Sequence, residues 1–372
     1  MTPDGGPFLP RSVPVLIAGN GTAAAAAALA LAAEGIEAAI VAPARPGGMP
    51  DRVGESLGPA GEDLLAGLGL RERFLAGPHR PAGAFHAAWG APVLLRRPEP
   101  RGWVLDRPAF DAMLAEAAAE TTAVRIDGSV RGVEREAGGW RVEVGAGGGG
   151  STIRCRFLLD CTGRAAAIGR RLAIQRQIDR LIACHATVTQ SDHEVEPTRA
   201  TVVESARDGW WYATLLPSGR GLVAWFTDPC PGPILREPAA WSALQAESRF
   251  AVPWLASAGF PPAGLPSVAP AGTVLLDRAA DAGTGWAAAG DAAAAFDPLS
   301  SHGLVSALWM GARAGRAAAA WLRGDPAPLA AYAAAVAAGA ARYLDERGQM
   351  YVRERRFAGA PFWRGRSPVA AP

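Results

Sequence analysis

The stretch VPVLIAGNGTAAAAAALALAAEGIEAAIVAP, residues 13–43, reads as a strand, a tight turn, an alanine helix, a second turn and a second strand. Val15, Leu16 and Ile17 form a short run of β-formers, and Gly35 falls where the helix should stop before the strand AAIVA. Between them, Gly19-Asn20-Gly21-Thr22-Ala23-Ala24 has the form G-x-G-x-x-A. Gly19 permits the turn, Gly21 lets backbone approach a pyrophosphate, and Ala24 lets the helix pack closely on the strand. The spacing alone is a weak signal; within a strand-loop-helix-strand unit it favours a dinucleotide site over an ordinary alanine-rich βαβ unit. The acid that would end the second strand and hold ribose hydroxyls is missing, since Ala42 and Pro43 stand there with Arg45 just beyond. Either other groups such as Arg45 hold an adenosine half, or the loop binds no dinucleotide.

The rest of the chain bounds the options. With 372 residues, 49% hydrophobic and 19% charged, it can form two packed units or one large α/β body. With a net charge of +2 and no basic run interleaved with aromatics, nothing argues for nucleic acid as the principal partner, and none is expected. All 37 basic residues are arginine, which removes any chemistry needing a lysine amine. Cys155, Cys161, Cys184 and Cys230 form neither a C-x-x-C pair nor a zinc spacing, so they read as reduced thiols and no metal site is expected. The apolar run from Val13 is broken by glycines and followed by Glu34 and Glu37, with no basic leader before it. A cytoplasmic protein without a membrane partner is the expectation.

A second stretch, GWAAAGDAAAAFDPLSSHG at 285–303, places Gly290-Asp291 after a small-residue strand and then turns into a helical pattern. Asp291 there can accept a ribitol or ribose hydroxyl, while the helix amides point at a phosphate or a flavin carbonyl. The plainer alternative is that Asp291 only caps a helix.

Taken together, the Gly19-Asn20-Gly21 loop, VGESLGP at 53–59, LDRPAFDAML at 105–114, FLLDCTGR at 157–164, DGWWYATLLPSGR at 208–220 and GDAAAAFDPLSSHG at 290–303 resemble the FAD-dependent monooxygenases of the para-hydroxybenzoate hydroxylase and tryptophan halogenase superfamily. These motifs follow the family's order. The resemblance implies an α/β fold: a Rossmann-like FAD-binding domain of the glutathione-reductase type, an antiparallel β-sheet substrate domain and C-terminal helices. It places Arg107 on the pyrophosphate side, Gly163 in the loop over the adenine end and Asp291 on the ribitol. Pro298, Leu299, Ser300, Ser301 and Gly303 would form a backbone wall beside the isoalloxazine, with Glu55 and Ser56 near the flavin or the mouth of the site. Arg107 as a surface residue and Glu55 as a solvated loop acid are the plain alternatives.

Halogenases of this superfamily use a lysine and a W-x-W-x-I-P motif, whereas this chain has no lysine and reads Tyr212-Ala213-Thr214-Leu215-Leu216-Pro217. The chain looks most like the branch that modifies tryptophan within a protein or peptide during maturation of cysteine tryptophylquinone enzymes, such as quinohemoprotein amine dehydrogenase and glycine or lysine oxidases. His302 stands where that branch often has glutamine. The resemblance implies hydroxylation of a nucleophilic indole through a flavin C4a-hydroperoxide, with O2 as co-substrate. Electrons would come from NAD(P)H directly or through a flavin reductase, because no second G-x-G-x-x-G is present. Candidate catalytic groups are His302, Glu55 and Tyr212, whereas His185 reads as a strand histidine. The implied partner is a precursor carrying the target tryptophan. Monooxygenation of a small aromatic metabolite and a non-catalytic flavin-binding maturation chaperone are the alternatives.

The expected organisation is an FAD-binding domain over 11–165 and 268–325, with a substrate-side insertion around 75–105. A sheet domain over 166–267 and a helical region over 326–372 complete it. In the middle, CHATVTQ, ATVVES, WWYATLLP and GLVAWFTD alternate like antiparallel strands. Trp210, Trp211, Trp225 and Phe226 read as sheet core before they read as an aromatic pocket. GAGGGGST at 145–152 reads as a hairpin tip. Arginines 342, 347, 353, 355 and 356 make the last helix basic, either as a solvated face or as a surface for an acidic partner.

Overall fold

In a computed structural model, residues 12–43, 54–97, 102–121, 124–146, 149–229 and 237–366 are described; Arg45 and Cys230 lie outside them. A parallel core runs Trp286–Ala288, Gly149–Asp160, Ser12–Ala18, Ala38–Ala42, Val124–Asp127. Strands Ser129–Glu136 and Gly139–Ala146 extend from it as an antiparallel flap, and Ala146 pairs with Gly149 across the expected hairpin. Helix α1 (Thr22–Ala33) follows the first strand, and helix α2 (Arg107–Ala119) is capped by Asp106, whose side chain accepts from Ala109 N.

A seven-stranded sheet has the order Ser267–Pro270, Ile182–Val188, Gly221–Thr227, Gly209–Leu215, Ala200–Ala206, Ala84–Ala88, Leu95–Arg97. Its pairs are antiparallel except that Ala84–Ala88 runs parallel to Ala200–Ala206. Helices α3 (Pro238–Ala246) and α4 (Ala251–Ser257) cover one face. Helices α5 (Gly303–Leu322) and α6 (Ala327–Val352) follow the parallel core.

The alanine run of α1 has a packing reason. Nine of the twelve residues of that helix are buried, and α5 crosses it closely at two glycines. A Cβ on Gly311 would meet Ala23 O at 2.2 Å, and one on Gly315 would meet Ala27 O at 2.7 Å. Two helices can approach this far only with bare or methyl side chains between them.

The four middle aromatics are core. Period-2 alternation sends Trp211 and Trp225 to one face with Trp241 and Leu255, and Trp210 and Phe226 to the other with Trp89, Tyr351 and Trp363. The Trp210 and Phe226 rings stack with centroids 3.9 Å apart. Aromatic clusters therefore pack against both faces of the sheet at these positions.

The basic reading of the C-terminal helix needs correction. Arg347 is buried between Asp179 at 2.8 Å and Asp297 at 3.4 Å, and Arg356 is tied to Glu354 at 2.6 Å. Only Arg342, Arg353 and Arg355 of the five are exposed, too few for a continuous basic face. Among the described residues no helix is long and apolar enough to cross a membrane.

Candidate flavin site

The first loop is fixed by contact. Gly19 has φ +110°, its N–H donates to Val41 O at 2.8 Å, and a Cβ there would lie 2.1 Å from Cys161 O. Only glycine fits that turn. Gly21 caps α1 with nothing among the described residues within 4 Å of where its Cβ would be, so the backbone is open to them on that side. Ala24 is buried against the core. Gly163 (φ +66°) and Gly303 likewise have open space at the Cβ position.

Asp160, at the end of the strand Gly149–Asp160, is fully buried and was not singled out from the sequence. Its carboxylate accepts from Thr162 N at 2.9 Å, Thr162 Oγ1 at 2.6 Å, Ile168 N at 2.9 Å and Gly169 N at 2.7 Å. These bonds pin the Thr162–Ala165 loop, and with it Gly163. Arg164 next to it donates to Phe296 O at 3.1 Å and to Gly272 O, and its Nε lies 3.5 Å from Asp291 Oδ2. One guanidinium thus joins the Gly163 loop to the turn carrying Gly290 and Asp291. Gly290 has φ +63° and its absent Cβ would lie 2.9 Å from the Ala23 methyl, which brings that turn onto α1. The signal for Asp160 was available, since a strand ending in aspartate before C-T-G is a loop anchor.

Arg107 is the first residue of α2 and not a surface group: its side chain is 10% exposed. Nη1 donates to Gly54 O at 2.8 Å, Nη2 to both Asp111 oxygens at 3.2 Å, and Nε is buried without a partner among the described residues. Glu55 is buried rather than solvated, in the segment leading into Ser56–Leu57, where Ser56 pairs with Val104. Its Oε2 accepts from Gly54 N at 3.0 Å, and Tyr212 Oη donates to its Oε1. Burial first, then the charge of Glu55, pushes the Tyr212 hydroxyl well above the usual tyrosine range, so it keeps its proton. A cleft of about 170 Å³ lies here, lined among others by Glu55, Arg107, His185, Pro217 and Arg220. His185 is a buried strand residue that also faces this cleft.

The 297–303 turn forms a separate group. Asp297 is fully buried and caps the short helical turn Pro298–Ser300 through Leu299 N at 2.9 Å. Its backbone N–H donates to Tyr343 Oη at 2.7 Å, and its Oδ2 accepts from Tyr351 Oη at 2.7 Å and from Arg347. Burial pushes the Asp297 carboxyl up while Arg347 opposes that shift. Ser301 sits at φ +52°, and His302 caps α5 without a side-chain bond, so the first amides of α5 open toward solvent beside exposed Ser301, His302 and Gly303. A second cleft, about 310 Å³, lies between this turn and α6. Glu55 and Tyr212 are brought together; His302 belongs to the other cleft.

FAD fits these residues on three observations. Among the described residues, the open glycine positions at 21, 163 and 303 leave backbone free to meet a ligand, two helix N-termini have no side-chain cap, and the buried Arg107 Nε has no hydrogen-bond partner. Arg45 lies outside the described residues, so its contacts do not enter the fit.

A family model described as "FAD binding domain" matches residues 12–223, more than half of the chain. The chain belongs to the FAD binding domain family. It is 25% identical over 375 residues to LodB of Marinomonas mediterranea, assigned as an FAD-dependent oxidoreductase, covering 97% of this chain and 98% of that one. Among solved structures, the flavin-dependent halogenase CmlS matches with TM-score 0.83 and 22% identity over 98% of this chain and 68% of its own. QhpG, a peptidyl tryptophan dihydroxylase essential for tryptophylquinone cofactor biogenesis, matches with TM-score 0.74 and 23% identity over 96% of this chain and 80% of its own. The fold is that of the flavin-dependent halogenases and hydroxylases.

Proposed function

We propose that this protein is an FAD-dependent monooxygenase that hydroxylates a tryptophan residue of a protein or peptide precursor, in the biogenesis of a tryptophan-derived quinone cofactor. The observation that carries the reading is the filled inner face of the seven-stranded sheet. Trp89, Trp210, Phe226, Tyr351 and Trp363 pack there with each residue at most 7% exposed, and the cleft that opens on the same face beside His185 and Thr187 holds about 170 Å³, small for a chamber enclosing a free metabolite. A substrate that presents its ring from outside suits that arrangement. The likenesses to LodB and QhpG support the same reading, and the complete lack of lysine counts against halogenation by the route the superfamily uses.

Bound FAD, with electrons from NAD(P)H or a flavin reductase and with dioxygen as co-substrate, would supply an electrophilic oxygen for the indole. The Gly21 and Gly303 amides and Arg107 would bind its phosphates and ring carbonyls, and Arg164 with Asp291 would orient the sugar side. Tyr212, kept protonated by burial, holds a proton at Oη on the Glu55 carboxylate, ready to relay it at the edge of the site.

The deciding experiment begins with an absorbance spectrum of the purified protein. It continues with anaerobic reduction and mixing with O2 in the presence of a tryptophan-containing precursor peptide, read by mass spectrometry. Bound flavin and a gain of oxygen on tryptophan support the reading. Bound flavin with an unchanged peptide, and oxygen gained instead by a free aromatic, would overturn it.

A further inference from the structure

Resting on that proposed function, we infer that the target indole enters the cleft between the 297–302 turn and α6, against Leu299, Met350 and Arg353. Three observations lead there. First, Trp210, Tyr351 and Trp363 fill part of the sheet face beside Tyr212, and the space left on that face, beside His185 and Thr187, is the smaller cleft of about 170 Å³. Second, the larger of the two clefts, about 310 Å³, takes one wall from Leu299, Ser300 and His302 and the other from Tyr343, Met350 and Arg353. That is the lower end of the size range of small-molecule sites, enough for one bicyclic side chain and little else. Third, its charged floor is internally satisfied. Asp297 bonds Leu299 N, Tyr351 and Arg347, and Arg347 also bonds Asp179 at 2.8 Å. A floor with its charges already paired selects a neutral group.

The α6 wall has the chemistry for an aromatic one. Arg353 Nη1 lies 3.4 Å from Met350 Sδ, so a guanidinium and a thioether form a continuous surface at the mouth. Thioethers and guanidinium planes both attract ring faces and edges. Glu346, His302 and Arg353 are exposed around the rim, where a peptide backbone and its flanking side chains would pass. The 170 Å³ cleft at Glu55 is smaller and lined by Asp106, Arg107 and Arg220, a poorer match for an indole.

The test uses FAD-loaded full-length protein and a short glycine-serine peptide carrying one 5-fluorotryptophan, with binding read from the fluorine resonance and flavin loading from absorbance. Met350→Trp fills the cleft, and Arg353→Ala removes an exposed group without altering the core. Each is expected to weaken peptide binding by about tenfold or more while FAD absorbance is retained. If the wild-type protein binds and oxidises the peptide and both variants bind it within about twofold of wild type, the cleft assignment is overturned while the proposed function stands. If the wild-type protein neither binds nor oxidises any tryptophan peptide, the proposed function falls and takes this assignment with it. Binding of free 5-fluoroindole as tight as that of the peptide would also overturn the assignment of a peptide-borne ring.

Discussion

Tyr212 Oη donates to Glu55 Oε1 across 157 residues of sequence, joining the seven-stranded sheet to the segment that follows the first βαβ unit. Tyr212→Phe should leave the buried Glu55 oxygen without that donor and cost about 1–3 kcal/mol in denaturant unfolding. If the pair also relays a proton, turnover should fall and its pH dependence shift, whereas flavin binding measured by absorbance should hold. Unchanged stability together with unchanged turnover would remove both roles from the pair.

All four tyrosines of the chain are pushed up, in each case chiefly by burial. Below the unfolded value of roughly 10 both states keep the proton, so the contribution to stability is complete there. Above it the unfolded chain loses protons first, and stability falls as pH rises toward the folded values. The tyrosinate absorbance band should therefore appear together with loss of tertiary circular dichroism in an alkaline titration. A tyrosinate signal that develops while the fold is intact would contradict the burial of these residues.

Burial pushes the Cys155 and Cys184 thiols up to about 12 and Cys161 well above its usual value. The thiolate is the reactive form, so these three should be silent toward a maleimide in native buffer and react in denaturant. Mass mapping of the labelled peptides checks this, since native labelling at Cys155, Cys161 or Cys184 would show an open core.

Arg347 neutralises two buried carboxylates, Asp179 and Asp297, and through Asp297 it holds the 298–301 turn to α6. Arg347→Met should cost about 3–5 kcal/mol at neutral pH, because it strands buried charge. Without Arg347, burial and the charge of Asp179 are opposed only by the bonds from Leu299 N and Tyr351, so the Asp297 carboxyl rises further. A group with a raised folded value stabilises the fold at low pH and loses that contribution as pH rises through the folded value. The deficit should therefore shrink as the buffer is acidified, and a deficit that grows on acidification would show that Asp297 is not the group left unpaired.

The parallel unit was legible because its residues obey local rules: β-formers at 15–17, the Gly19 turn, the Gly35 stop and a strand of five buried residues at 38–42. The antiparallel strands 182–188, 200–206, 209–215 and 221–227 were equally legible from alternation. Contacts between distant segments were not. Nothing local in Arg347 distinguishes it from exposed Arg342, and its role appears only when Asp179 and Asp297 arrive from elsewhere in the chain. Likewise Arg164 follows a recognisable C-T-G motif, but that its guanidinium would bridge to Asp291 depends on the crossover between two strands of the parallel sheet. Charge patterning along one helix cannot tell a solvated arginine from one that a fold closes over.

Gly19 and Gly21 differ in a way that separates folding from binding. A methyl at Gly19 would overlap Cys161 O at 2.1 Å on a backbone with φ +110°, so Gly19→Ala should destabilise the apoprotein itself, by more than about 1 kcal/mol. A methyl at Gly21 meets nothing within 4 Å, and φ is −85°, so Gly21→Ala should fold with wild-type stability in the absence of cofactor. If that open space is where the pyrophosphate lies, the methyl occupies it, and FAD affinity should drop by about tenfold or more in fluorescence titration of the apoprotein. Thermal melts of both apoproteins, paired with that titration, distinguish a turn the fold needs from a space the cofactor needs. Equal FAD affinity in Gly21→Ala and the wild type would move the phosphates away from the α1 N-terminus.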